Sequence, residues 1–196
     1  MDLFFLSLEQ VSIAIGAGAS FIFCSFFILS FKNQLIKPFE YTVLKRLSLY
    51  ATVGAGLALV AYIVRMALYF ESNMDITNTD VSVVSFQIIL LAVALISEMT
   101  LRKIHLPTLM RHQQAYFHLS NSMSDHQDSL IATTSFSVIS WLFIIFLGGM
   151  DFRGVFDSSH QVSFNFSLYL LAYILLGYIV GKVSIHLKEK FIGRVR

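Results

Sequence analysis

Three ionisable residues, Glu9, Arg65 and Glu98, stand inside long apolar stretches of this chain. A charge in such a place needs a partner, and within a membrane span it is a functional candidate by default. At helical spacing Arg65 shares a face with Ala61, Ala58, Gly54 and Ala51. Glu9 shares one with Ser12, Gly16, Ser20 and Cys24. Small residues on one face let another helix come close, so the two stretches are expected to pack antiparallel with Glu9 and Arg65 paired near one membrane end. Such a pair either fixes helix register or takes part in binding a substrate or a proton.

A second constellation lies toward the other end. Glu98 and Arg102 are four residues apart, a favourable helix pair. His105 follows, and Lys182 and His186 fall at a similar depth on the last apolar stretch. Histidines on two helices at one depth can ligate haem iron or copper, which makes His105 and His186 the candidate metal pair. Helix-end histidines are more often simply solvated, and no cofactor is expected. His112, His118 and His126 are spaced by six and eight, which matches no zinc pattern. The seven Met are scattered and suit packing better than a copper(I) ladder.

Polar stripes extend these sites. Gln87, Ala94 and Glu98 lie along one face of the third stretch, and Thr133, Ser137 and Ser140 along one face of the fourth. Polar faces in a membrane turn to protein or water, because lipid offers them no hydrogen bonds. Glu9, Arg65, Glu98, Gln87, Ser12, Thr133 and Ser137 are therefore the candidate polar core. No hydroxyl has a base beside it, and no catalytic triad, phosphate loop or HExxH helix occurs. An enzyme is not expected.

The elements that must position these residues are membrane helices. The 196 residues are 56% hydrophobic and 13% charged, with a mean hydropathy of +0.71. Soluble domains carry roughly 25% charged residues, so the chain reads as an integral membrane protein. A net charge of +2 gives no basis for binding nucleic acid. A lone Cys24 excludes an internal disulfide. The N-terminus lacks a basic n-region and its apolar stretch runs on too far for a cleaved signal, so the first helix is expected to remain.

Five spans are expected, at residues 3–31, 47–70, 81–104, 129–150 and 164–187. The joining loops alternate between basic and acidic: Lys45 and Arg46, then Glu71 and Asp80, then Lys103 and Arg111, then Asp151 and Asp157, then a basic tail. Basic loops stay in the cytoplasm, which places the N-terminus outside and the C-terminus inside. Pro107 is expected to end the third span, ahead of a cytoplasmic loop, 107–128, with a short amphipathic helix in it. Gly177-x-x-x-Gly181 in the last span has the spacing of a close-packing motif.

The segments LEQVSIAIGAGASFIF, LKRLSLYATVGAGLALVAYIVRMALY and SWLFIIFLGG resemble small bacterial multi-pass proteins that are similar to the copper-resistance D-like membrane superfamily. The resemblance covers spans one, two and four. That superfamily has a His near the start of its first helix, where alignment on IGAG puts Glu9 in this chain. The resemblance therefore implies a bundle architecture and a transport association, and not copper or haem ligation at that position.

Taken together, the residues specify one all-α bundle of five transmembrane helices over 1–196. It is expected in the cell (inner) membrane, in contact with lipid and with either copies of itself or other membrane subunits. Two functions fit: a transporter or channel for a small solute or ion, or a non-catalytic subunit or scaffold of a larger complex. A haem or copper protein is the third.

Overall fold

The computed structural model describes residues 2–33, 38–72, 78–111, 121–149 and 166–193, and among these the chain is helical throughout with no strand. The helices are α1 (Asp2–Asn33), α2 (Pro38–Ser72), α3 (Asn78–Thr100), a π-helical turn (Leu101–His105), α4 (Leu106–Arg111), α5 (Asn121–Gly149) and α6 (Phe166–Gly193). Four stretches, Leu3–Phe26, Phe39–Glu71, Val83–Thr108 and Asp128–Leu147, are long and apolar enough to cross a membrane. On α6 the described apolar stretch, Leu168–Val183, is shorter.

Helices α1, α2, α3 and α5 form a closed ring of neighbours, and α6 lies outside it against α5, touching α3. The burial pattern is that of a protein dissolved in lipid. Ile15, Ile22, Val60, Ile96, Phe146 and Leu171 point outward, while Glu9, Ser12, Ser20, Gln87, Glu98 and Ser137 are buried. Exposed aliphatic side chains need an apolar solvent, and buried polar ones need the bundle interior.

Small residues set the tightest seam. A Cβ built on Gly54 would lie 2.6 Å from the Cα and N of Gly16 and 2.8 Å from the Ser12 carbonyl oxygen. The backbones of α1 and α2 therefore touch. A Cβ on Gly16 would in turn run into the indole ring of Trp141 on α5. In the Gly177-x-x-x-Gly181 motif, Gly177 receives the ring of Phe136, whereas Gly181 has nothing within 4 Å. Gly181 is buried like Gly177, but among the described residues the close contact is made by Gly177.

Three expectations need correction. α2 begins at Pro38, well before residue 47, with Lys45 and Arg46 exposed on its first turns. Proline suits a first helical position because its missing N–H is an orphan there. Pro107 does not end the third span, since the helix runs on through it to Arg111. The π turn just before it, closed by the Leu106 N–H on the Leu101 carbonyl, gives the slack that lets a membrane helix absorb a proline. α5 begins at Asn121, inside the expected loop, so that loop is shorter, while the membrane-length apolar stretch of α5 starts at Asp128, next to the expected 129; the amphipathic stretch expected beyond Arg111 lies outside the described residues, as do His112 and His118.

The seam predicts opposite signs for two glycine substitutions. Gly54→Ala should destabilise the protein by about 1–3 kcal/mol, because the atoms nearest the new methyl are backbone and cannot swing aside. Gly18→Ala, with nothing within 4 Å, should be neutral or stabilising by up to about 1 kcal/mol from helix propensity. Reversible unfolding in mixed micelles measures both.

Candidate functional site

At one end of the bundle Glu9 and Arg65 meet as the spacing requires. The Arg65 Nε–H donates to Glu9 Oε2 at 2.7 Å, and Nη2–H donates to Oε1 at 3.2 Å. Both carboxylate oxygens are occupied by one planar guanidinium, a geometry that lysine cannot supply. The guanidinium also lies 5.3 Å from the ring centre of Tyr62, a cation–π distance. Glu9 is almost wholly enclosed, its side chain 5% exposed against 21% for Arg65. Ser12, one turn along, donates to the Leu8 carbonyl of its own helix. Gln87 on α3 is buried with its Oε1 unbonded, as is the Tyr62 hydroxyl.

The second site differs from its expected form. Glu98 is fully buried and faces α5, where the Ser137 hydroxyl donates to its Oε1 at 2.5 Å. Ser137 Oγ lies 3.1 Å from Ser20 Oγ on α1. With the Ser137 hydrogen committed to Glu98, Ser20 is the donor in that contact. Trp141 also turns its indole toward this carboxyl, yet its Nε1–H and Glu98 Oε2 both lack a hydrogen bond. Arg102, the expected partner of Glu98, is exposed and forms no ion pair with it. Glu98 turns inward while Arg102, at the start of the π turn, turns out.

Glu98 also lies deeper than expected. Ser137, which binds it, falls in the middle of the apolar stretch Asp128–Leu147. The core is split there. One apolar cluster holds Ala17, Ala55, Ala94, Ile139 and Trp141, and a second holds Phe23, Leu44, Leu101 and Ile131. In each helix the polar residue falls between the two: Ser20 on α1, Ser48 on α2, Glu98 on α3 and Ser137 on α5. Four helices thus build one polar layer, and the Ser48 hydroxyl in it is buried without a hydrogen bond.

Seven residues beyond Glu98, about two turns on, His105 is buried in the π turn. Its Nε2 lies 3.3 Å from Thr133 Oγ1. Thr133 gives its own hydrogen to the Ser129 carbonyl at 2.8 Å, so His105 Nε2–H is the donor to Thr133. That bond engages Nε2, one of the two ring nitrogens through which a histidine binds a metal. His186 is exposed on α6, an environment unlike that of His105. Among the described residues no group of three or more His, Cys, Asp or Glu could hold a metal ion. Sequence reasoning missed Trp141 and Ser20 as neighbours of Glu98. The signal for Ser20 was its place on the Glu9 stripe of α1, and Trp141, one turn beyond Ser137 on α5, carried none.

The two ends make different demands on a mutant. Arg65→Met leaves a buried carboxylate without its partner and should cost about 3 kcal/mol, the low end for a buried pair because Arg65 keeps some solvent contact. Glu9→Gln with Arg65→Met should cost clearly less than the sum of the single changes, read as a double-mutant cycle in detergent unfolding.

No family model matches the chain, and neither a curated protein nor a solved structure matches it.

Proposed function

We propose that this chain is a five-crossing protein of the cell (inner) membrane that transports a small ion, with Glu98 as its central binding group. The observation that carries the reading is a fully buried carboxyl in the middle of the bundle with no ion-paired cation among the described residues. A bare carboxylate in low dielectric is costly, and intramembrane carboxyls of this kind mark ion pathways. Glu9 and Arg65 form a second polar station toward the other end, with Gln87 unsatisfied on α3. The contact of Gly54 with Gly16 leaves no room for a solute between α1 and α2, which favours an ion over a larger cargo.

The proposed orientation has the N-terminus outside. Lys45 and Arg46 at the start of α2 and Arg102 and Lys103 at the end of α3 fall at one end of an antiparallel pair, with Glu71 exposed at the other. The basic end is the cytoplasmic one. The proposed surroundings are lipid, together with a second copy of the chain or another membrane subunit against the outer apolar faces.

A second reading, a non-catalytic subunit or scaffold, draws on the same seam: helices in backbone contact hold a fixed shape. The two readings separate in liposomes. The purified chain should carry sodium, potassium, chloride or protons under an imposed potential or pH gradient, and Glu98→Gln should reduce that flux to the level of empty liposomes. Gly18→Ala should not change it. Flux through the unaltered protein no greater than through empty liposomes, for every one of these ions, would remove the transport reading and leave the scaffold.

A further inference from the structure

We infer that Glu98 is a proton-exchange site: its carboxyl takes up and releases a proton through the hydroxyls of Ser137 and Ser20, and is reached from the His105 end of the bundle. This rests on the ion-transport reading and names the ion.

The chemistry of the lining decides between a proton and a metal cation. Hard cations take six or more oxygen ligands. Among the described residues the side-chain oxygens around Glu98 are its own pair and the hydroxyls of Ser137, Ser20 and Ser48, fewer than six. The remaining neighbour, Trp141, presents an indole N–H, which donates and has no lone pair to give. A donor pointed at the site suits a carboxylate oxygen and repels a cation. A proton needs only one acceptor, and Glu98 Oε2 is a buried acceptor with no hydrogen bond.

The hydroxyls can also reverse. With the carboxylate ionised, Ser20 donates to Ser137 and Ser137 donates to Glu98 Oε1. With a proton on Oε1, the acid O–H donates to Ser137, the Ser137 O–H turns to Ser20, and the Ser20 O–H turns to a carbonyl of its own helix. Each hydroxyl keeps its one hydrogen and its bonds. The site gains one proton and its charge goes from minus one to zero.

Access is marked by the π turn. Such turns occur at functional positions in helices, and this one places buried His105 on Thr133, four residues from Ser137 on α5. That is one helical turn, about 5–6 Å between Cβ atoms, a gap that one water can bridge. Among the described residues the other elements around Glu98 bring no charge to it. α1 offers Ser20 and, a turn on, Cys24; α2 offers Ser48; α5 offers Ser137 and Trp141; Arg102 is exposed. His105 is the titratable group on that route.

Infrared spectroscopy of the full chain in liposomes tests this. The unaltered protein should show a carboxylic-acid C=O band that Glu98→Gln loses, and the band should shift when water is replaced by deuterium oxide. His105→Leu should slow that shift without removing the band. Because Glu98→Gln can fail to fold, carbodiimide labelling of the unaltered protein is the second measurement: Glu98 should be modified, less so as pH rises, and excess sodium or potassium should not protect it. Only carboxylate bands, a band that ignores deuterium oxide, or protection by sodium would each overturn the proposal. Exchange at Glu98 without ion flux would sink the transport reading alone, whereas flux of another ion past a non-exchanging Glu98 would sink this one alone.

Discussion

The Cα of Gly16 occupies the space that any side chain at Gly54 would need. This close approach fixes α1 against α2 in depth and rotation, because neither backbone can slide without a clash. Glu9 is thereby brought level with Arg65. The same glycine gives Trp141 its seat, so α5 is held against α1 at one height. That height is what lets Ser20 on α1 reach Ser137 on α5. Lipid tails are as apolar as leucine and do not drive helices together, so contact of this kind has to come from shape.

The polar layer depends on that geometry and would be untenable without it. Ser20, Ser48, Glu98 and Ser137 lie between two apolar clusters. Hydroxyls that bond only to their own helix add little to specificity, and Ser12, Thr52 and Thr134 are of that sort. Ser137 instead spans two helices, and Ser140 receives the Tyr173 hydroxyl from α6 at 2.7 Å. α5 is thus the helix through which polar groups from α1, α3 and α6 are joined. An apolar layer would hold the ring together as well, so the carboxyl at its centre is not explained by stability.

Much of the architecture was legible in the residues. Apolar length and the small faces of the first two spans were sufficient for the helices and for the Glu9–Arg65 pair, since one charge of each sign on facing stripes leaves few alternatives. The partner of Glu98 was not legible. Its spacing to Arg102 promised an i, i+4 pair, but burial of one residue and exposure of the other is a tertiary outcome that a local rule cannot contain. The course through Pro107 was hidden for a related reason. A proline normally signals an end, and only neighbouring helices make the widened turn before it worthwhile. The depth of Glu98 followed from that error, because a span cut at residue 104 puts residue 98 too close to its end.

A bundle this closely packed is ill suited to moving a solute with volume. A proton is different, because it has no volume to accommodate. It advances by exchanging which oxygen holds which hydrogen, so a chain of buried hydroxyls serves it better than a water-filled passage that would admit other ions. What the proton does require is a carboxyl without a permanent countercharge, donors that tolerate both charge states, and one wet approach. Glu98 with Ser137, Ser20 and Trp141 fits the first two, and the proposed approach runs past the buried His105 of the π turn. Tight packing around such a site is then the means of selectivity, since it excludes whatever cannot move by hydrogen exchange.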